Sequence, residues 1–373
     1  MRQRRGRVGP ARKPWGFLIY IAGDNDLSDN GLEDIQELCE EGASPRVHVG
    51  VEIDTYGEHT GSIRYEITEP DWMGAAHRTV IQRLGEKDSG DPDTLRSFLE
   101  WGLGRYPAGR RVVVVWNHGS GFRTPRRDIA SDDFGSSLDM PEVEEAFRRA
   151  GIGPRKKIAV LGFDACLMSM LEIAHHFRDQ VEILVGSQQV EPGDGWPYDK
   201  VLRALKTVSG PVPLAKAIVR AYIKDYRDRG EFDVTQSAIA TAKTEPAIRA
   251  LSDLGDLLGR SLPGQKRTIQ AIRLSLQEFE MADYVDLIHF ATLVSRGIDL
   301  APVRKAARAL AGATRACILH SARLGSGVAN AHGLSAWFPG SQGLYYNHRS
   351  KYLRLKFASR YRGWVTFLDA YHA

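Results

Sequence analysis

The sequence predicts an α/β fold, a mostly parallel central sheet with helices on both faces and a helical C-terminal elaboration. Two observations predict the sheet: several short β-branched runs have the continuous apolar character of strands covered on both sides, and helical patterns alternate with them. A third, the shift to long helical patterns after Tyr198, predicts the elaboration.

In chain order the strand-like runs are Gly16–Ile21, Val47–Ile53, Arg111–Trp116, Lys157–Gly162 and Val181–Val185. Helical patterns fall between them at Leu32–Leu38, Thr94–Gly102, Met140–Ala150 and Met168–Phe177, which makes βαβ units. Ser62–Ile67 alternates apolar and polar residues and reads as a small hairpin or an edge addition. Helical patterns then cover Val201–Leu205, Pro213–Tyr226, Pro246–Leu258, Gln265–Phe279 and Ala301–Ala322, interrupted by strand-like Gln236–Thr241 and His332–Phe338. The expected organisation is a basic tail over residues 1–13, a core over 14–205, and an elaboration over 206–373 that returns strands to the same sheet.

Of 373 residues, 43% are hydrophobic and 26% charged, enough for a sizeable core and inconsistent with a disordered chain. The net charge of +4 depends on the tail, where Arg2, Arg4, Arg5, Arg7, Arg12 and Lys13 are unopposed; without them the body is slightly acidic. A slightly acidic body lacks the basic face that phosphate neutralisation requires, so no nucleic-acid partner is expected. Cys39, Cys166 and Cys317 lie far apart with no C-x-x-C pair, which favours a reducing compartment. The apolar run Phe17–Ala22 is too short for a signal-peptide core, and nothing approaches the roughly 18 consecutive apolar residues of a membrane span. The expectation is therefore a cytoplasmic protein without a membrane partner.

Open α/β sheets gather reactive groups at the carboxyl ends of their strands, and three of those ends are chemically loaded. Asn117-His118-Gly119-Ser120-Gly121 follows one run, Phe163-Asp164-Ala165-Cys166 another, and Gly186-Ser187-Gln188-Gln189 followed by Glu191–Tyr198 a third. A cysteine opening a helix is polarised toward thiolate, and an imidazole can take its proton, so Cys166 with His118 meets the requirement for an activated nucleophile. Gly119 lets its N–H approach a substrate carbonyl, and with the Cys166 N–H it forms an expected oxyanion hole. Cys39 and Cys317, inside amphipathic patterns, read as small buried hydrophobes. His175 and His176 read as packing or surface residues, since no H-E-x-x-H pattern accompanies Glu172. Phosphate-loop, dinucleotide and G-x-S-x-G motifs are absent. The stretch Asp26–Gly31 with Glu37 approaches calcium-loop spacing, but it follows a strand and reads as an acidic turn before a helix.

Taken in order, Trp15–Glu37, Ser89–Leu95, Trp116–Gly121, Gly162–Met168, Ser187–Tyr198, Gly333–Pro339 and Tyr352–Leu368 resemble the clostripain family of cysteine peptidases. The resemblance spans nearly the whole chain after the tail. It implies a caspase-like α/β/α sandwich and a dyad of His118 and Cys166 that cleaves protein or peptide substrates after Arg or Lys. It also implies an acidic pocket for the basic side chain, with Asp164 the first choice and Asp194 the second. The alternative for Asp164 is an N-cap of the helix after it. The chemistry itself needs no cofactor, but the family includes calcium-dependent and self-processing members. Asp24 and Asp26 are the acids expected at a Ca2+ ion, and Arg123, Arg126 and Arg127 the expected self-cleavage points. An ordinary surface loop accounts for the same Arg-rich segment equally well. Phe122 stands where the family commonly has Trp. The competing reading is a caspase-like scaffold or binding protein that keeps the dyad but is catalytically silent.

Overall fold

In the computed structural model, which describes residues 11–56, 61–122 and 129–373, nine strands form one sheet. They are β1 (Lys13–Gly23), β2 (Val47–Thr55), β3 (Ser62–Ile67), β4 (Arg78–Gly85), β5 (Ala108–Trp116), β6 (Ile158–Asp164), β7 (Val181–Gly186), β8 (Val234–Ala240) and β10 (Ile318–Leu324). Their spatial order is β10-β8-β7-β6-β5-β1-β2-β3-β4. The central strands β2, β1, β5, β6 and β7 run parallel. Antiparallel pairs extend both ends, β3 and β4 on one side and β8 and β10 on the other. Arg123, Arg126, Arg127 and residues 1–10 of the basic tail lie outside the described residues.

Alternation along the strands divides the core between two faces. Phe17, Ile19 and Ile21 of β1 join Val112 and Val114 of β5 on one side, beneath α1 (Ser28–Glu41), α5 (Tyr198–Thr207) and α6 (Pro211–Arg229). Leu18 and Tyr20 join Val113 and Val115 on the other, beneath α2 (Pro92–Arg105), α3 (Met140–Arg149), α4 (Leu171–His176) and α7 (Thr244–Leu274). The second face is thickened by α8 (Leu287–Gly297), α9 (Ala301–Cys317), α10 (Gln342–Tyr352), α11 (Lys356–Arg360) and α12 (Gly363–His372). Each fully buried Val, Leu, Ile or Phe in these layers contributes about 1.5–3 kcal/mol.

Several elements depart from the sequence reading. The pattern Ala301–Ala322 is helical only to Cys317; the chain then continues as half-exposed edge strand β10 against β8. Pro246–Leu258 and Gln265–Phe279 do not form two helices. One helix, α7, runs through Pro263, because Leu251, Leu254, Leu258, Leu262, Ile269 and Ile272 keep one apolar face in register across it. The strands of the C-terminal half divide: β8 and β10 join the main sheet, whereas β11 (Ser335–Trp337) pairs with β9 (Tyr284–Asp286) in a separate ribbon. Ser62–Ile67 is an edge addition, extended by β4, whose largely exposed residues carry little burial signal. Among the described residues no helix is long and apolar enough to cross a membrane.

Candidate active site

The parallel register aligns the carboxyl ends of the central strands: Ile21 of β1 lies beside Trp116 of β5, and Trp116 beside Asp164 of β6. The segments that leave these ends enclose a cleft of 190 Å³ lined by Leu27, Trp116, His118, Asp164, Cys166 and Glu191 among others. Gly162 permits this assembly from below. A Cβ there would lie 2.6 Å from the Trp196 ring, so only glycine lets the post-β7 loop pack onto β6.

Asn117 fixes the exit of β5. Its side-chain amide donates to the carbonyls of Ala22 and Ser131, and its carbonyl accepts from the Ser131 hydroxyl. The next residue, His118, faces the cleft, and its Nε2 lies 2.8 Å from a carboxylate oxygen of Asp26. A carboxylate at that position accepts a hydrogen from Nε2, which leaves Nδ1 as the nitrogen that can exchange a proton. Gly119 packs directly on the Cys166 peptide: a Cβ would come within 2.4 Å of its carbonyl oxygen and 2.9 Å of its nitrogen.

Cys166 does not open a helix. It sits in a turn; Leu167 adopts a left-handed φ of 65°, and α4 begins only at Leu171. The intervening backbone is engaged elsewhere, Leu167 N–H with Gln189, Ser169 N–H with Ser187, and the Ser169 carbonyl with Ser335. The expected helix-dipole polarisation of the thiol is therefore absent. Burial raises the Cys166 thiol above its ordinary range, and the charge of Asp164 adds to this. The amides of Glu191, Gly119 and Cys166 act in the opposite direction, the Glu191 N–H lying 3.2 Å from Sγ.

Asp164 is 3% exposed and lines the floor of the cleft. It accepts from the Trp196 N–H at 3.1 Å and the Tyr198 hydroxyl at 2.8 Å, and so caps no helix. Burial raises its pKa. Asp194 does not line the cleft and pairs with Arg229, which also holds Asp225 at 2.7 Å. The second carboxyl in the cleft is Glu191, which the sequence reading included in a loaded loop without a role. Gln236 Nε2 donates to it at 3.2 Å, and burial followed by the charge of Asp164 pushes its pKa well above the carboxylate range. Asp34, buried on α1, is likewise raised by burial and by Asp164.

The structure separates the two acids expected at calcium. Asp26 meets His118, whereas Asp24 joins Asp132 and Asp133, with ligand oxygens within 4.8 Å of one another. Burial and these neighbouring acids raise Asp24 to about 8. Such crowding of oxygen donors suits a hard cation, although Asp132 already accepts from the Ser89 and Phe134 amides.

A parallel sheet between two helical layers, with cysteine and histidine on adjacent strand ends, defines a caspase-like α/β/α fold. The model of the Clostripain family matches residues 19–368, and the chain belongs to that family. It is 27% identical over 334 residues to clostripain of Hathewaya histolytica, covering 75% of this chain and 62% of that protein. The chain therefore spans less than two thirds of that relative's length. Two solved structures share the fold. One is a secreted C11 cysteine protease from Bacteroides thetaiotaomicron in complex with an irreversible peptide inhibitor, with TM-score 0.70 and 20% identity over 93% of this chain and 98% of that one. The other is an inactive zymogen C11 protease from Parabacteroides distasonis, with TM-score 0.75 and 18% identity over 95% and 99%.

Proposed function

We propose that this protein is a cysteine endopeptidase that cleaves peptide bonds after Arg or Lys. The observation that carries the reading is the buried carboxyl of Asp164 on the floor of the cleft that Cys166 and His118 line. A carboxylate there pairs with a guanidinium or ammonium and holds the scissile carbonyl at the thiol. Because burial keeps the resting thiol protonated, His118 takes its proton as Sγ attacks the carbonyl carbon. The amides of Gly119 and Cys166 receive the oxyanion, and His118 returns the proton to the leaving amine. Water then attacks the thioester with His118 as base. Asp26 holds the imidazole in the required tautomer throughout.

The family membership and the zymogen description of one similar structure support self-processing, for which Arg123, Arg126 and Arg127 are the candidates. The calcium requirement implied by the resemblance would fall on Asp24 with Asp132 and Asp133, since Asp26 is engaged by His118. All three cysteines are free, which favours a reducing, cytoplasmic setting.

The test is turnover of fluorogenic peptides ending in Arg, Lys, Asp or Leu, with and without calcium, followed by electrophoresis. Wild type is expected to cleave only the Arg and Lys peptides, and Cys166→Ala to cleave none. Fragments arising in wild type but not in Cys166→Ala establish self-cleavage. Silence toward every peptide by the folded, reduced protein supports the scaffold reading instead.

A further inference from the structure

We propose that Asp164 and Glu191 form one proton-sharing carboxyl pair on the cleft floor, and that a basic P1 side chain binds by displacing the shared proton. Glu191 is then a second specificity residue, and recognition of the basic side chain is linked to proton release. The inference rests on the basic-P1 reading above and assigns it a partner residue and a pH dependence.

The donor inventory around the two carboxyls carries the argument. Asp164 Oδ2 receives both the Trp196 amide and the Tyr198 hydroxyl. Glu191 Oε1 receives Gln236, while Glu191 Oε2 is buried with no donor among the described residues and the Glu191 carboxyl meets that of Asp164. An orphaned carboxyl oxygen beside a second buried carboxylate is satisfied when one proton lies between them, since two adjacent carboxylates in a low-dielectric site do not both ionise.

The surroundings hold that proton in place. Asp34 from α1, Tyr198 from α5, and Tyr222 and Tyr226 from α6 act on the pair itself, whereas Glu37, Asp194 and Asp225 surround Arg229. Cys166 and His118 stand at the mouth. The nearby cation, Arg229, is engaged by Asp194 and Asp225 rather than by the pair. A guanidinium entering the cleft supplies the missing positive charge and donates N–H groups to Asp164 and Glu191 Oε2. The pair passes from one negative charge to two, the proton leaves to solvent, and the net charge of the floor rises by none. A neutral P1 residue leaves the proton where it is and finds no donor or acceptor unmatched.

Two measurements test this. Calorimetric titration with butylguanidine at pH 6.5, in two buffers of different ionisation enthalpy, is expected to show release of about one proton per ligand bound in wild type and almost none in Glu191→Gln. KM for the Arg peptide from pH 5.5 to 8.5 is expected to fall by up to about tenfold per pH unit in wild type and much less steeply in Glu191→Gln, where only Asp164 remains to titrate. Arg turnover with a pH-independent KM, or with the same slope in both proteins, overturns the proton-sharing pair while leaving the peptidase intact. Absence of Arg or Lys turnover at every pH removes the underlying reading itself. If Glu191→Gln does not fold, the wild-type proton count decides, and a count of zero rejects the proposal.

Discussion

In the proposed mechanism Gly119 is a residue at which backbone geometry limits the chemistry. A methyl group would meet the carbonyl oxygen of Cys166 at 2.4 Å and the Ala165 methyl at 2.9 Å, and a peptide carbonyl cannot rotate aside as a flexible side chain can. Gly119→Ala must therefore push the 119 amide away from the sulphur. The expected outcome is a loss of roughly 10²–10³-fold in kcat, with KM changed only a few-fold, as for removal of one oxyanion donor. Steady-state kinetics on the Arg peptide, with circular dichroism to verify folding, check it; an equal loss in KM would mean that Gly119 serves substrate binding instead. That His118, Asp164 and Cys166 share one cleft was legible because each lies at or just beyond the end of an apolar strand run, and strand ends converge by topology. The contacts of Asp26 with His118 and of Glu191 within the cleft were not, since they depend on how two irregular loops fold over those ends. The helix expected at Cys166 failed for a local reason: the amides of residues 167 and 169 bond to the post-β7 segment rather than to one another.

At the scale of elements, α7 and α12 approach through their glycines. A Cβ on Gly255 would lie 2.6 Å from the Gly363 backbone, whereas one on Gly259, a turn later, would lie 3.8 Å from Phe367 Cα. The same substitution should therefore have opposite signs at the two positions. Gly255→Ala is expected to destabilise by about 1–3 kcal/mol through overpacking against backbone. Gly259→Ala is expected to stabilise by up to about 1 kcal/mol through helix propensity. Urea denaturation of the two variants reads both, and a Gly255→Ala protein as stable as wild type would show that the helices can separate without cost. The parallel strands were legible because double-sided burial writes continuous apolar runs. The boundary of α9 with β10 was not, because a half-exposed edge strand and a helix end carry the same mixed pattern. The two patterns Pro246–Leu258 and Gln265–Phe279 are one helix because Pro263, a local breaker between them, is overridden by an apolar face that continues on both sides of it.

The molecule as a whole contains buried groups whose titrations oppose one another. Burial lowers His175 and His372 to about 4, so the unfolded chain takes up protons on them below its ordinary histidine pKa, and stability falls as the pH drops from about 6.5 toward 4. Asp54 and Glu37 are raised by burial to about 7, so the folded state keeps protons that the unfolded chain has lost. Their contribution is fully present below the unfolded carboxyl pKa and disappears as the pH rises through about 7. Asp54 provides the cleaner test. It is the last residue but one of β2, is 2% exposed, accepts from the Ser89 hydroxyl at 3.1 Å, and leaves its Oδ1 without a hydrogen-bond partner. In Asp54→Asn the carboxyl no longer has to ionise inside the fold, while the titrating groups that Asp54 does not influence are common to both proteins and cancel in the comparison. Relative to wild type, the variant should gain about 1–2 kcal/mol of stability between pH 5 and pH 8, whatever its absolute stability at either pH. Parallel denaturation curves at the two pH values measure this difference. A difference near zero would mean that Asp54 is ionised in the folded protein at both, with water or a cation reaching it at the carboxyl end of the strand.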